Sequence, residues 1–398
     1  MQLRMTTALA KGPSGKTLGR NVAEEARKKM ADAEPGLALL YLSSRLALQE
    51  TLAGVRETLG DVPLIGCTTA GEFTESAVDK ESAALALFSR TPDYRFHVTL
   101  AEGLKDDPTG CVQKAVDAVP ARDAVFPHRG AVLLHDGLAG RGEEAVMSAT
   151  AILGPDVHFS GGAAADDLAF EKTHILFNDR VVTDAVALAV IDSKKPLAYG
   201  VKHGHSPVTE ELTVTKAKDT VLYEVNGEPA WDVWIRLLAD EAKSVGIDVT
   251  QLKDASSVGQ FLLRYELGLA TDQGEYKVRI PLSKNEDGSL NFACTIFEGA
   301  KFRIMKSPKE DQIRSAETSA KLAKEKMGGH AIAGALVFDC VCRGLILGDD
   351  FYKGVDAVKR IIGDVPLIGF ETYGEICRRT GQLSGLHNTT TVVVLLPA

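Results

Sequence analysis

The chain has few of the features that mark several common classes of protein. Six cysteines in 398 residues are too few for a disulfide framework, and no CxxC pair indicates a structural zinc site. The longest apolar runs, such as Ala83 to Phe88 and Val392 to Leu396, are strand-sized and shorter than the roughly 18 residues that a membrane span needs. The N-terminus lacks a sustained apolar core, so no signal peptide is predicted. We therefore expect a cytoplasmic protein with no membrane contact.

Positive charge is also scarce. The 45 Lys and Arg are outnumbered by 54 Asp and Glu, which gives a net charge of −9 and argues against a nucleic-acid partner. Neither GxSxG nor HExxH occurs, so no serine hydrolase or zinc protease is indicated. We predict no catalytic residue, no enzyme activity and no bound metal. The 45% hydrophobic content and the length together predict a folded protein of two domains.

A repeated phrase organises the chain. GDVPLIGCTTAGE at Gly60 to Glu72 recurs as GDVPLIGFETYGE at Gly363 to Glu375, with ten of thirteen positions identical. An apolar strand and a periodic helical segment, Leu46 to Leu59 or Phe351 to Ile362, precede each copy. A diverged third copy runs from GAVLLHDG through Glu143 to Leu153 and into GPDVHFSGGAAADD. The sequence therefore predicts three β-α-β units.

Each unit ends in small residues followed by an acid, namely Glu72, Asp166 or Glu375. Glycine lets a backbone approach a bound group closely, so these turns are candidate ligand-contact loops. The alternative interpretation is a sharp turn that carries a solvated acid. Both interpretations remain open at this point.

Other segments predict different structure. Tyr276 to Leu282, Asn291 to Phe297 and Lys301 to Lys306 look like an antiparallel meander. A capping-box pattern from Ser307 predicts a polar, solvent-facing helix to Met327 that bridges sheet segments. The helix from Ala230 to Ser244 carries both tryptophans three residues apart on one face, where core packing is expected. The fold class predicted is α/β with mixed sheets, repeated β-α-β units and an antiparallel meander, in two domains.

Two further motifs offer alternatives. Ala10 to Thr17, AKGPSGKT, follows a predicted strand and precedes a helix, as a phosphate-binding loop does, but Ala10 occupies the place of a required glycine. A nucleotide-binding enzyme built on this segment is the alternative function. His203 and His205 lie two residues apart in VKHGHSPV and would share one face of a strand. They could ligate a metal or haem iron, or form a surface pair.

From about Leu37 to its end the chain resembles the paired N- and C-terminal FIST domains of bacterial sensory proteins. The phrases that carry the resemblance include IGCTTAGEF, FSGGAAADDLAFEKT and KHGHSP in the first half, and FLLRYELG, FDCVCRGLILGD, IGFETYGEI and LHNTTTVVVL in the second. The resemblance implies an N-terminal strand and helix over residues 1–36, a FIST N-terminal-type domain over 37–225 and a C-terminal-type domain over 226–398.

The resemblance also implies a function in signal transduction. Such proteins bind a small ligand, an amino acid or a similar metabolite, and some similar members bind haem and sense nitric oxide. With no output segment in this chain, a histidine kinase or a cyclic-di-GMP enzyme would act in trans. No cofactor is predicted with certainty, although haem would use His203 or His205.

The ligand-binding residues carried over from the family are Arg343, Cys340, Tyr373, Glu375 and Asp166, and the repeat adds Glu72. Arg343 could hold a carboxylate through its planar fork, while Glu375 or Asp166 could receive an ammonium group. The alternative for Arg343 is an ion pair with Asp339, Asp349 or Asp350. His205 stands where the family usually has a large aromatic residue.

Overall fold

A computed structural model describes residues 2–271, 274–378 and 385–398. The α-helices are α1 Lys16–Met30, α2 Leu48–Leu59, α3 Pro108–Asp117, α4 Gly142–Leu153, α5 Ala230–Ser244, α6 Ala255–Arg264, α7 Lys309–Lys326, α8 Val341–Leu347 and α9 Phe351–Ile362. The strands are β1 Met5–Ala10, β2 Pro35–Ser43, β3 Leu64–Thr69, β4 Glu72–Thr74, β5 Val78–Asp79, β6 Ala83–Ser89, β7 Tyr94–Glu102, β8 His128–His135, β9 Val157–Ala163, β10 Ile175–Phe177, β11 Arg180–Val182, β12 Ala185–Ser193, β13 Ala198–His203, β14 Ser206–Pro207, β15 Leu212–Lys218, β16 Val221–Val225, β17 Glu228–Pro229, β18 Tyr265–Ala270, β19 Tyr276–Arg279, β20 Pro281–Lys284, β21 Leu290–Phe292, β22 Lys301–Lys306, β23 Ile332–Cys340, β24 Leu367–Thr372, β25 Glu375–Cys377, β26 Leu386–His387 and β27 Thr390–Pro397.

The three repeated units are present as predicted. In each, two parallel strands flank a crossover helix: β2-α2-β3, β8-α4-β9 and β23-α9-β24, with the short helix α8 added in the third. Parallel strands need such a crossover because the chain leaves the first strand at one end of the sheet and must enter the next strand at the opposite end. The glycine-rich repeat therefore marks the second strand of each unit and the turn that follows it.

Each unit lies in its own six-stranded mixed sheet. The strand orders are β1-β6-β2-β3-β10-β11, β26-β25-β9-β8-β12-β7 and β13-β27-β23-β24-β4-β5. The chain beyond each unit then pairs with a different unit: β4 with β24, β10 with β3, and β25 with β9. The three sheets are thereby joined in a ring, and the predicted fold class is confirmed.

The ring is apolar on both faces. Its interior holds side chains from all three sheets, among them Tyr41, Leu134, Phe338 and Phe370. The outer faces are covered by α1 with α2, by α3 with α4, and by α7 with α9. Sheets buried on both sides need nearly continuous apolar strands, which explains runs such as GLALLYL and TVVVLL.

A nine-stranded antiparallel region made of β14–β22 forms a separate layer. The predicted first meander strand is divided into β19 and β20, and the second is shortened to Leu290–Phe292. Helices α5 and α6 pack on this layer, and both Trp231 and Trp234 are buried in its core, as predicted. The indole N–H of Trp234 donates a hydrogen bond to the Tyr265 carbonyl at 3.2 Å.

The prediction of a solvent-facing α7 is wrong in part. Small side chains, among them Ala316, Ser319 and Ala320, let this helix approach β13 and β27 closely and bury one of its faces. The hydroxyl of Ser319 donates to the Thr391 carbonyl of β27 at 2.8 Å. The charged residues occupy only the opposite face, because a helix of this composition can segregate its two kinds of side chain.

The predicted boundary after residue 225 lies at the end of β16, inside the antiparallel region, where β16 pairs with β15, β17 and β21. The first 36 residues contain β1 and α1 and are integral to the first sheet, since β1 pairs along its whole length with β6. Within the described ranges, no helix is long and apolar enough to cross a membrane.

Candidate functional site

The turns after β3, β9 and β24 meet at one end of the ring. Ala70 N donates to the Glu371 carbonyl at 3.0 Å, and Glu371 N donates to the Gly71 carbonyl at 2.8 Å. Ala165 N reaches the carbonyl of Thr68 at 2.8 Å. A Cβ on Gly71 would lie 2.8 Å from Oε1 of Glu371, so glycine is needed for this close approach. The three repeated turns are thus interlocked rather than separate.

None of the three acids on these turns is solvated. Glu72 and Glu375 are fully buried, and Asp166 is 2% exposed. Asp166 accepts hydrogen bonds from the backbone N–H groups of Phe170, Glu171 and Lys172 and from the hydroxyl of Tyr373 at 2.5 Å. Its carboxylate organises the loop after β9. The interpretation of these acids as solvated turn residues is therefore wrong.

The two glutamates have internal partners. Glu72 accepts hydrogen bonds from Thr69 Oγ1 and from Ser82 Oγ, the latter at 2.5 Å, and burial raises the pKa of Glu72 to about 8. Glu375 accepts from the N–H and hydroxyl of Thr390 at 3.0 and 2.8 Å, and burial holds its pKa well above the ordinary value. In both carboxyls the cost of a buried charge shifts the pKa towards the protonated form.

The sequence did not single out Glu371, which lies near the end of β24, just before the turn of the last repeated unit. Its side chain fits between Gly71 and Gly344, and its Oε2 has no hydrogen-bond partner among the described residues. Burial, reinforced by Asp339, Glu72 and Asp167, raises the pKa of Glu371 to about 8, and Lys80 opposes that shift. Glu371 stands where the first repeat has Thr68. The last unit, β23-α9-β24, therefore has a carboxyl at a position where the first unit has none.

A cavity of about 970 Å³ opens beside the interlocked turns, between the ring and the antiparallel layer. Its wall combines the loops after β8 and β9, the end of β23 with α8, the helix α6, and the start of α7. The residues that line it are Gly137, Leu138, Leu168, Phe170, Ala255, Ser256, Gly259, Gln260, Leu263, Arg264, Ile280, Pro281, Leu282, Ala293, Ser307, Pro308, Lys309, Glu310, Cys340, Val341, Cys342, Leu345, Ile346, Tyr373 and Asn388.

Exposed apolar side chains are concentrated around this cavity. Leu138, Phe170, Leu282 and Leu345 are all more than one third exposed and all line it. The ring of Phe170 stacks on that of Tyr373, with centroids 4.9 Å apart and planes 12° from parallel. Apolar surface left open to solvent in one place marks a site of ligand or partner binding.

The structure brings some of the predicted ligand residues to the cavity and keeps others away. Cys340 and Tyr373 line it, Asp166 lies directly behind the Tyr373 hydroxyl, and Glu375 adjoins Cys340. Glu72 is not part of the wall, because its carboxyl turns towards Thr69 and Ser82. Two of the six predicted residues thus contact the space directly, and two more support them.

Arg343 is fully buried between α7, α8 and the end of β23 rather than in the cavity. Its Nε lies 2.5 Å from Oδ1 of Asp339, and its Nη1 donates to the Gln312 carbonyl and to Ser315 Oγ, both at 2.9 Å. These contacts match the alternative interpretation of Arg343, an ion pair with Asp339. Burial raises the pKa of Asp339, while Arg343 acts against that shift.

Comparison with known families identifies the chain. The FIST N domain model matches residues 36–228, and the FIST C domain model matches residues 230–378. This chain belongs to the FIST family. FIST domains are sensory and signalling domains, so a role of that general kind follows for this protein.

Several relatives resemble this FIST protein over most of its length. An uncharacterized protein of Methanocaldococcus jannaschii is 24% identical, with 93% of this chain and 74% of the relative covered. An uncharacterized protein of Mycobacterium tuberculosis is also 24% identical, with 99% of both chains covered. A cyanuric acid hydrolase structure from A. caulinodans aligns over 99% of both chains at 10% identity, with a TM-score of 0.36. A likeness at that TM-score does not bear on activity.

The histidines of this FIST chain do not fit a haem site as they lie. His203 Nε2 is 3.1 Å from the Tyr276 carbonyl, and its Nδ1 accepts the N–H of His205 at 3.2 Å, so both ring nitrogens are occupied. The imidazole of His205 is inaccessible to solvent, with Nε2 3.5 Å from Glu266 Oε1. Neither histidine lines the cavity, and neither is a surface residue of the kind the alternative interpretation described. No group of three metal-binding side chains occurs in the described part of the chain.

The phosphate-loop-like segment is occupied by acidic side chains. Lys16 Nζ pairs with Glu57 Oε1 at 2.8 Å, and a Cβ on Gly15 would lie 2.8 Å from Glu50 Oε2. A carboxylate therefore faces the start of α1, where a nucleotide phosphate would have to bind. Repulsion between this carboxylate and the negatively charged phosphate opposes nucleotide binding.

Arg264, Glu310 and Cys342 line the cavity but were not among the predicted ligand residues. Arg264 ends α6 and is exposed, Glu310 lies in the first turn of α7, and Cys342 follows Cys340 by two positions. The signal for Cys342 was present in the CVCRG phrase. No sequence signal could have joined Arg264 to Glu310, because the fold brings α6 and α7 to the same wall.

Proposed function

We propose that this FIST protein is a receptor for a small organic ligand that occupies the cavity between the ring and the antiparallel layer. The observation that carries the proposal is the wall itself, which combines open apolar side chains with a few charged groups. Ligand pockets of roughly 300 to 1,000 Å³ with mainly apolar walls are typical of small-molecule sites. The receptor catalyses nothing in this proposal and reports occupancy to a separate cytoplasmic partner, a histidine kinase or a cyclic-di-GMP enzyme.

The charged residues of the wall indicate the ligand chemistry. Arg264 makes no ion pair with any described residue, whereas Lys309 already donates to the Leu347 carbonyl at 2.9 Å and lies 3.6 Å from Asp350. Arg264 is therefore the better anchor for a carboxylate, since its planar fork can form two parallel hydrogen bonds. Glu310 supplies the opposite sign for an ammonium group. A zwitterion with an apolar body, such as an amino acid derivative, matches this set.

Binding at this wall gives a route to a signal. The cavity lies between α6 of the antiparallel layer and α8 of the third repeated unit, so a bound ligand contacts both layers at once. A ligand shifts a conformational equilibrium only through unequal affinity for the two states. If the two states differ in how the two layers are arranged, a ligand that contacts both layers has a different affinity for each state.

The test is a thermal-shift panel of amino acids, their derivatives and related carboxylates, followed by calorimetric titration of any ligand found. Arg264→Gln should weaken binding of the carboxylate by about tenfold or more, the loss expected for a charge-assisted hydrogen bond. Arg236→Gln, at an exposed residue paired with Glu228, is the matched control and should bind normally. If no compound of the panel shifts the unfolding temperature, or if both variants bind equally well, the proposal fails.

Haem remains a separate prediction from the resemblance, and an absorption spectrum tests it. The ring contacts of His203 and the burial of His205 argue for a colourless protein that takes up no added haemin. An intense violet band that disappears in His203→Ala would establish haem binding and would require His203 to leave its present partners.

A further inference from the structure

The six cysteines divide into two groups. Cys67, Cys111, Cys294 and Cys377 are buried and do not line the cavity, whereas Cys340 and Cys342 both do. None of the six forms a disulfide in the structure. Two thiols on the wall of this cavity are a chemical feature that the receptor proposal does not use.

The two thiols are close but differ in access. Cys340 ends β23 and is 1% exposed, while Cys342 lies in the first turn of α8 and is partly exposed. Both side chains line the same cavity, and after burial the neighbouring Cys342 thiol also raises the pKa of Cys340. Residues two apart at such a bend can bring their Cα atoms within the roughly 4.4 to 6.8 Å that disulfides span.

A buried carboxyl adjoins the inner thiol. Oε1 of Glu375 is inaccessible to solvent and has no hydrogen-bond partner among the described residues, and after burial the Cys340 thiol also raises the pKa of Glu375. Its second oxygen is fixed by Thr390. Burial raises the pKa of Cys340 well above the ordinary thiol value, whereas Cys342 is the more accessible of the two thiols.

We propose that Cys342 and Cys340 form a thiol–disulfide exchange site for a small organic disulfide that enters the cavity, Cys342 being the attacking thiol and Cys340 the resolving one. The inference rests on the cavity of the proposed receptor function and names a ligand class for it. The apolar wall and the size of the cavity suit an organic disulfide, whereas a peroxide would need neither.

The exchange balances in two steps. The Cys342 thiol gives its proton to water, its thiolate attacks one sulfur of the disulfide RSSR, and the S–S bond breaks. The leaving RS⁻ takes a proton from water and departs as RSH, which leaves a mixed disulfide on Cys342. The sulfur of Cys340 then attacks the Sγ of Cys342, the mixed disulfide bond breaks, and the proton of the Cys340 thiol passes to the departing RS⁻, which leaves as the second RSH. Two protein thiols are oxidised to one disulfide, and one RSSR is reduced to two RSH.

The probe is 5,5′-dithiobis(2-nitrobenzoate) added to the folded, full-length protein, with release of the coloured thiolate followed by absorbance and the product weighed by mass spectrometry. Wild type should release two thiolates per chain in a fast phase and retain no adduct. Cys340→Ser should release one and keep one adduct, because the resolving thiol is absent. Cys342→Ser should lose the fast phase, slowing the reaction by about tenfold or more, since only buried thiols remain. Cys111→Ala, at a buried thiol outside the cavity, should behave as wild type.

Far-ultraviolet circular dichroism and thermal unfolding of each variant establish that it is folded. A persistent adduct on the wild type, or an unchanged fast phase in Cys342→Ser, would overturn the inference. The ligand panel is a separate readout: ligand binding without two-thiolate release refutes only the exchange site, whereas release without any panel ligand refutes only the zwitterion receptor. Disulfide formation by hydrogen peroxide but not by the organic probe would assign the thiols to a different oxidant and refute the proposed ligand class.

Discussion

Replacing Glu371 by glutamine should change how the stability of this protein depends on pH. The carboxyl lies between Gly71 and Gly344, where burial raises its pKa from 4.5 to about 8. The folded state therefore holds a proton that the unfolded chain has already released over this range. Because the folded pKa is the higher one, this group makes folding less favourable as the pH rises from about 5 to about 8.

The magnitude follows from the two pKa values. With 4.5 unfolded and about 8 folded, the wild type should lose about 2.5 kcal/mol of unfolding free energy through Glu371 between about pH 5.5 and about pH 7.5. Glu371→Gln keeps the shape but has no proton to lose, so this part of the pH dependence should vanish. At about pH 7.5 the variant should gain stability relative to the wild type.

The assay is urea unfolding of wild type and variant at both pH values, analysed as the difference between the two proteins. The difference is needed because other groups titrate in the same window. Glu72, whose pKa is also about 8, acts in the same direction, and His203, whose pKa burial lowers to about 3, acts in the opposite one up to its unfolded pKa. Glu24→Gln, at an exposed acid on α1, is the control and should follow the wild type. Equal pH dependence of wild type and Glu371→Gln, within about 0.5 kcal/mol, would show that Glu371 is already ionised in the fold.

Four further substitutions test the packing. Arg343→Met leaves Asp339 buried without its ion-pair partner and should cost about 3 to 5 kcal/mol in chemical unfolding; a loss under about 1 kcal/mol would contradict the buried pair. Gly19→Ala should destabilise the protein strongly, because a Cβ there would lie 1.9 Å from the Thr51 carbonyl oxygen. In Gly259→Ala on α6 the added Cβ would meet nothing within 4 Å, so this substitution should stabilise the protein by about 0.5 to 1 kcal/mol. Trp234→Ala should cost about 3 to 5 kcal/mol, measured by the same unfolding assay; a normal unfolding midpoint would refute its place in the core.

The repeated units were predictable because local signals specified them. The glycine-ended strands, the apolar runs and the periodic helices from Glu143 and Phe351 predicted elements that begin or end within a few residues of those in the structure. The convergence of the three turns was not predictable, since strands β4, β10 and β25 pair with units distant along the chain. Pairing of that kind depends on how the sheets close.

The candidate site shows the same division. Cys340 and Tyr373 were named from the resemblance and line the cavity, but Arg343 came from the same phrase and lies in the interior with Asp339. A sequence shows that an arginine follows an aspartate by four positions, which makes a pair geometrically available. Whether that pair faces a cavity or the core depends on α7 covering it.

The sequence by itself determined the composition class, the three units and the glycine turns, because those depend on contacts between residues near each other in the chain. The tertiary structure alone decided that the acids of the turns are buried, that the cavity is built from both layers, and that Arg264 and Glu310 share a wall with two thiols. Burial and charge environment are properties of the assembled sheets, since the chain acquires an interior only when distant strands pair.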